Sequence, residues 1–286
     1  MSTSPSSQPL HRTKVIAVTS GKGGVGKTNV SINLAIALSQ IGHKVTLLDA
    51  DLGLANIDVL LNLRPLRNLA HVIRGECGLE DIIIPGPLGI NIVPAASGVK
   101  MMSSLSVPQQ AALIHAFGSL DQNSDALIID TSAGLNTGVV NFCTAAHEIL
   151  VVVCNEPASV ADAYAMIKVL RTDYGIHRFR VLVNMAQSHA EGRELFTRLS
   201  DVTQHYLDVI LHYCGVIPRD PLLLKAVRSQ RALLAAYPSS PAGMAFKDLA
   251  NTADKWVIPD SANGRLEFFV EKLARYQPGQ AGNAMP

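Results

Sequence analysis

The sequence predicts a doubly wound α/β domain with a mostly parallel sheet, and three observations carry that reading. Short β-branched runs alternate with amphipathic stretches along most of the chain, as βαβ units do. The composition is aliphatic, with 48% hydrophobic but only 5% aromatic residues, which suits a parallel sheet buried on both faces. A glycine-rich loop, SGKGGVGKT at 20–28, joins the first apolar run to the first amphipathic stretch. Nucleotide-binding α/β folds place their phosphate loop there.

The elements follow in order. KVIAVTS (14–20) is a continuous apolar run of strand type. After the loop, Val30, Leu34, Ala37, Leu38 and Ile41 fall at helical spacing, and Gly42 stops the helix. KVTLLDAD (44–51) is a second buried strand ending in two acids. Strand, loop, helix and strand make a right-handed parallel βαβ unit. Further strands are expected at 89–95, 125–134, 148–157 and 179–186, with a shorter one at 212–220 on the sheet edge. Helices are expected over 108–120, 159–173, 190–207 and 221–236. The domain so delimited runs from 13 to 258. Residues 1–12 read as a disordered lead, 259–264 as a linker, 265–276 as an amphipathic helix and 277–286 as a disordered tail.

Charge and cysteine usage narrow the function classes. Lys plus Arg is 24 and Asp plus Glu is 23, a net charge of +1. Direct nucleic-acid binding usually brings a stronger basic balance, so none is expected, although a local patch stays open. The four cysteines, Cys77, Cys143, Cys154 and Cys214, show neither CxxC spacing nor a zinc pattern and read as reduced thiols. The lead lacks the apolar region of a signal peptide, and no run of about 18 apolar residues exists.

Gly21, Lys22, Gly23, Gly24, Val25, Gly26, Lys27 and Thr28 match G-x-x-x-x-G-K-[ST], with Asn29 next in the helix. The glycines let backbone N–H groups point into one concavity, which with the helix N-terminus cradles phosphates. Lys27 would reach the β- and γ-phosphates, and Thr28 would ligate Mg²⁺. ATP and Mg²⁺ are the expected cofactors. Lys22 is a second lysine in the same loop. The pattern KGGVGKT resembles the deviant Walker A motif of the MinD/ParA class of P-loop ATPases. In that class the first lysine crosses a dimer interface to the phosphates bound opposite. The resemblance therefore implies an ATP-dependent homodimer, with Lys22 serving both interface and catalysis. The plain alternative is a solvated loop lysine.

Asp49 and Asp51 end a strand beside the loop, where metal and attacking water must sit. The resemblance implies that Asp51 orients the water, that Asp49 holds the metal's water shell, and that Asn56 lies near the nucleotide. Capping of the strand exit is the alternative for either acid. Asp130 follows four apolar residues in IIDTSAGL (128–135), as a Walker B acid does, and would bind Mg²⁺ through water. Gly134 can bring an N–H to a γ-phosphate because no side chain intervenes. In CNEPASVADAY (154–164), Glu156, Ser159 and Asp162 match the segment that lines the dimer face in this class; helix capping by Ser159 with Asp162 in the first turn is compatible. By the same resemblance Asn184 reads the adenine edge, and Pro218 and Asp220 in VIPRD border the base.

DADLGLANIDVLL, VPAASG, NEPASVADAYAMIKVL, RFRVLVNMA and GRLEFFVEKL resemble one branch of the class, the FlhG/FleN flagellar-number regulators, over about 13–275. That resemblance implies a slow regulatory ATPase that restrains a FleQ-type transcription activator and partners an FlhF-type GTPase. It implies a cytoplasmic protein reversibly held at the inner face of the plasma membrane, at the cell pole. The lead has no DQAxxLR-type element, which favours the activator-restraining role over GTPase stimulation. In RLEFFVEKLARY (265–276), Leu266, Phe269, Val270 and Leu273, widened by Phe268, form an apolar stripe fit for a bilayer interface. An ordinary terminal helix packed on its own domain is the alternative. Other members of the class supply rival readings: a MinD-type division-site ATPase, a ParA-type partition ATPase, and an iron protein, which needs two cysteines per subunit for its cluster, whereas Cys143 has no matching second ligand in the sequence.

Overall fold

The strand segments are rich in Val, Ile, Leu and Ala, and alternate side chains point to opposite faces. A sheet made of them must be covered on both sides. The computed structural model describes residues 13–51, 56–94 and 123–257. In it β1 (Lys14–Thr19), β2 (Val45–Ala50), β3 (Ile84–Pro85), β4 (Asn91–Val93), β5 (Ala126–Thr131), β6 (Glu148–Val153), β7 (Arg178–Ala186) and β8 (Ile210–Pro218) form one sheet. Its order is β3-β4-β2-β5-β1-β6-β7-β8. Every neighbour pair is parallel except β3 with β4. The expected doubly wound, mostly parallel sheet is thus present.

One face carries α1 (Lys27–Gln40), and also α7 (Pro221–Arg228), α8 (Leu233–Ala236) and α9 (Pro241–Asp254). Ile16, Val18, Leu47 and Ile128 meet Leu34, Phe246 and Leu249 there. The other face carries α3 (Leu69–Ile73), α4 (Thr137–Ala145), α5 (Pro157–Thr172) and α6 (His189–Leu207). Ala17, Val151 and Val181 pack on Val139, Met166 and Leu195 on that side. A four-residue helix, α2 (Ile57–Leu60), follows the acids of β2.

Several elements differ from expectation. The helix expected over 221–236 is two: α7 ends at Arg228, Gln230 takes φ +52°, and α8 then turns inward. Burial of Leu233 and Leu234 drives the break, and the Leu234 N–H donates to Asn33 Oδ1 at 3.0 Å. The edge strand β8 is nine residues long rather than short. Helix α9 had no counterpart in the pattern reading. Yet it opens on Ser240, whose Oγ accepts from the Gly243 N–H at 3.1 Å, followed by Pro241 in the first turn. Its end is clamped, because Lys14 Nζ donates to the carbonyls of Ala253 and Asp254, each at 2.8 Å. The expected lead at 1–12, helix at 108–120, linker at 259–264, amphipathic helix at 265–276 with Leu266, Phe268, Phe269, Val270 and Leu273, and tail at 277–286 lie outside the described residues.

Candidate active site at the carboxyl ends of the strands

Strand order reverses at β1, which lies between β5 and β6. The crevice outside the carboxyl ends of these strands is where open α/β sheets bind ligands. Residues 20–26 leave β1 there and enter α1. Gly26 is the N-cap of α1 at φ +86°, and the first turn carries neither an acid nor a side-chain cap. The leading N–H groups of α1 therefore keep their partial positive charge unanswered, as an anion site requires. A Cβ on Gly26 would lie 2.5 Å from Asn184 Nδ2, and one on Gly21 would lie 2.3 Å from the Asp162 backbone. Only glycine lets the loop lie this close to β7 and α5.

The two lysines take different partners. Lys27 is buried, with Nζ 4.0 Å from Asp130 Oδ1. Lys22 stands exposed at the rim and donates to Glu156 Oε2 at 2.5 Å. That hydrogen bond holds the Lys22 ammonium above its usual pKa range, with the Glu156 charge adding to it. Lys22 thus points to the rim at α5, away from the buried Lys27.

The acids converge through strand register. Asp49 on β2 is directly opposite Asp130 on β5. Asp130 is fully buried; its Oδ1 accepts from Ser31 Oγ at 2.8 Å, and the Thr28 hydroxyl also donates to it. Burial pushes its carboxyl up, opposed by Lys27, Ser31 and Thr28. Asp130 Oδ2 has no hydrogen-bond partner. An orphaned buried carboxylate oxygen beside a threonine hydroxyl fits a hard divalent cation that keeps most of its water. Among the described residues no cluster of three or more His, Cys, Asp or Glu could hold a metal, so a cage made wholly of such side chains is absent there. Asp49 accepts from three backbone N–H groups, those of Asp51 (3.1 Å), Asn56 (3.2 Å) and Ile57 (3.3 Å). These bonds tie the backbone of Asp51 and of Asn56 and Ile57 to one carboxylate. The Asn56 amide reaches Asp51 Oδ2 at 3.5 Å, so Asn56 touches both acids of that loop.

Burial and the facing Asp130 raise the Asp49 pKa from 3.8 to about 7. The folded chain therefore holds a proton that the unfolded chain releases. That stabilisation is complete below about 3.8 and is lost as pH rises through about 7. From this group alone, the nucleotide-free protein should lose about 1 kcal/mol between pH 6 and pH 8. Thermal melts of wild type and Asp130→Asn check this: removing the facing charge should shrink the drop.

On the other side of the loop, Asn184 is buried and donates from Nδ2 to the Val25 carbonyl at 2.7 Å, leaving Oδ1 without a partner. A neighbouring cleft of about 380 Å³ is lined by Glu156, Met185, Pro218, Arg219, Asp220 and Leu223, among others. Pro218, the last residue of β8, and Asp220 border it. The Asp220 carboxylate, however, is committed inside the chain: Oδ1 caps α7 through the Leu222 N–H (2.8 Å) and Oδ2 caps α9 through the Ala242 N–H (3.0 Å). Asp220→Ala should remove two caps at once and destabilise by about 2–3 kcal/mol, read as a fall in the urea midpoint. Met185, at φ +58° and 41% exposed, was not singled out from the sequence. Its only signal was adjacency to Asn184.

Two expected contacts come out differently, and one rival reading loses its cysteine. Ser159 is buried, and its Oγ accepts from the Cys154 N–H at 3.1 Å, because the first turn of α5 folds back on β6. Glu156 rather than Ser159 is the N-cap. The Gly134 N–H, expected to face a phosphate, donates to the Ser20 carbonyl at 3.0 Å, since the left-handed turn at φ +86° folds it onto the loop. Cys143 is a core thiol packed with Ala17 and Val151, its pKa pushed up to about 12 by burial, and not a cluster ligand at an exposed axis. Residues 52–55 of the first switch lie outside the described residues.

A family model described as an AAA domain, AAA_31, matches residues 13–178. The chain is 56% identical over 267 residues to the antiactivator FleN of Pseudomonas aeruginosa, covering 93% of this chain and 95% of that protein. It is 33% identical over 265 residues to the flagellum site-determining protein YlxH of Helicobacter pylori, covering 92% and 88%. A solved structure of the septum site-determining protein MinD from Pyrococcus horikoshii OT3, complexed with Mg-ADP, superposes with a TM-score of 0.66 at 28% identity, covering 85% of this chain and 96% of that one. With the phosphate loop, the paired acids and the second lysine in place, the chain belongs to the AAA_31 family and, within it, to the FlhG/FleN branch of the MinD/ParA-class P-loop ATPases.

Proposed function

We propose that this ATPase is a dimerisation switch that restrains a FleQ-type activator of flagellar genes and partners an FlhF-type GTPase. The observation that carries it is the division of labour between the lysines: Lys27 is committed to its own site, while Lys22 waits at the rim on Glu156. Two ATP-loaded faces repel each other unless cations lie between them. An ammonium donated by each protomer makes pairing depend on ATP. The exposed pair with Glu156 is weak, so a triphosphate presented by a second protomer competes for Lys22.

ATP and Mg²⁺ are the cofactors, and Thr28 and Asp130 are the residues that would hold the metal, with Asp49 holding its water shell. Bound Mg²⁺ supplies charge that offsets what develops on the phosphate oxygens. Lys27 and the N–H groups of residues 21–29 bind the phosphates. Asp51 orients the attacking water, and Asn56 steadies Asp51. Asn184 Oδ1 accepts from the adenine amino group while Nδ2 holds the loop. Hydrolysis resets the switch, so turnover is slow. Among the described residues no helix is long and apolar enough to cross a membrane; attachment to the inner face of the plasma membrane, at the cell pole, is assigned to the stripe at 265–276. Two copies on a dimer give the avidity one lacks.

The experiment is a pulldown of purified FleQ-type and FlhF-type proteins with and without ATP. ATP-dependent capture is expected. Capture of neither, with capture of a MinE-type activator instead, would return the chain to the division-site reading.

A further inference from the structure

Helix α1 is buried over most of its length, and only two uncharged polar side chains, Ser31 and Asn33, are among its buried residues. Asn33 serves the backbone: Nδ2 donates to the Asn29 carbonyl at 2.8 Å, and Oδ1 accepts from the Leu234 N–H at 3.0 Å. Ser31 serves the site. It stands four residues past Lys27, on the same side of the helix, and is wholly buried. Its Oγ lies 3.1 Å from the Lys27 carbonyl and 2.8 Å from Asp130 Oδ1. A hydroxyl has one hydrogen to give. The carboxylate is nearer, and an ionised acceptor makes the stronger bond, so the hydrogen goes to Asp130. A serine inside a helix ordinarily bonds back to the carbonyl four residues earlier. Here the partner on β5 takes precedence.

A buried carboxylate that serves a metal must keep one oxygen out of the chain's own hydrogen bonds. Both Asp49 oxygens accept from backbone N–H groups, whereas Asp130 Oδ2 has no partner. The two Asp130 oxygens are chemically alike, and a half-turn of the carboxylate exchanges them. Lys27 Nζ, 4.0 Å from Oδ1, is too far for a hydrogen bond and, as a point charge, sets no direction. The Thr28 hydroxyl also donates to Asp130, but it is the group that would take the metal itself. Ser31 is the donor that stands outside the metal's own ligands and still grips one oxygen.

We propose that Ser31 is the positioning residue of the metal site: its hydroxyl holds Asp130 Oδ1 within the chain and so keeps Oδ2 for the water shell of Mg²⁺. The inference rests on the metal reading of Asp130 given above and adds the residue that orients it. Outer groups of this kind fix the direction of a ligand without touching the metal.

The test uses the full-length chain, with Mn²⁺ as a spectroscopic stand-in for Mg²⁺ and with ATP affinity measured in Mg²⁺ and in EDTA. Ser31→Ala should weaken Mn²⁺ binding to the ATP-loaded protein, read by electron paramagnetic resonance, by roughly tenfold. Its ATP affinity in EDTA should stay at the wild-type value, while the gain that Mg²⁺ confers should shrink by the same factor. Ser31→Cys fills the same space with a weak donor and should behave as the alanine variant does; it is the second probe if Ser31→Ala disturbs folding. If ATP affinity falls alike in EDTA and in Mg²⁺, the serine only packs the helix and the assignment is overturned. If wild type and both variants bind Mn²⁺ equally, Asp130 needs no such hold: the assignment is wrong and the metal reading stands. If ATP-loaded wild type itself holds no Mn²⁺, the metal reading of Asp130 falls and takes this inference with it.

Discussion

Lys22→Ala should bind ATP as wild type does, remain a monomer at every ATP concentration, and hydrolyse roughly 10²–10³-fold more slowly. The first expectation follows from geometry. Lys22 lies at the rim on Glu156, whereas Lys27, the first turn of α1 and the loop amides line the site of the same protomer. Removing Lys22 leaves those intact. The last follows from what a cation supplied across an interface contributes to phosphoryl transfer, where donated arginines give 10³–10⁵. Lysine is a point charge without the bidentate fork, so an effect at or up to about tenfold below the lower end of that range applies. Light scattering with and without ATP reads the mass, and nucleotide titration reads the affinity. A mass that doubles with ATP in this variant would sink the switch. Lys27→Ala is the contrast: it should lose ATP affinity itself.

Gly26→Val should cost about 3–5 kcal/mol and abolish nucleotide binding. Two penalties coincide at this position. The backbone sits at φ +86°, which a β-branched residue adopts only under strain, and the new Cβ would meet Asn184 Nδ2 at 2.5 Å. Asn184 cannot step aside without releasing the Val25 carbonyl. At 2–4 °C per kcal/mol the melting temperature should fall by roughly 10 °C. Gly24 gives the internal control. Its φ is +83°, but a Cβ there meets nothing within 4 Å. Gly24→Ala should therefore show only the backbone strain, about 1–2 kcal/mol. Equal damage from the two substitutions would mean that the contact with Asn184 does not shape the loop.

The loop, the acids at strand ends and the alternation of elements were legible because each is written in consecutive residues. Residues 14–42 alone encode strand, loop and helix. The breaks were less legible. Residues 221–236 read as one helical pattern, and nothing local announced that burying Leu233 and Leu234 against α1 would turn the chain at Gln230. Helix α9 could have been found from Ser240 and Pro241, a cap followed by a first-turn proline. Ser159 shows the opposite error, since its spacing suited a surface role while the fold-back of α5 buried it.

Sequence by itself determined the chemistry on offer: a phosphate cradle, two lysines, and carboxylates where a metal and water belong. Tertiary structure alone decided who meets whom. Asp49 faces Asp130 only because β2 and β5 are neighbours in this register, and burial together with that proximity raises the Asp49 pKa. Asn184 supports Val25 across 159 residues, and Glu156 holds Lys22 across 134. Asp220 ties two helices together. Such partnerships depend on strand order and crossover, which bring distant residues within hydrogen-bond reach and leave no trace in local spacing.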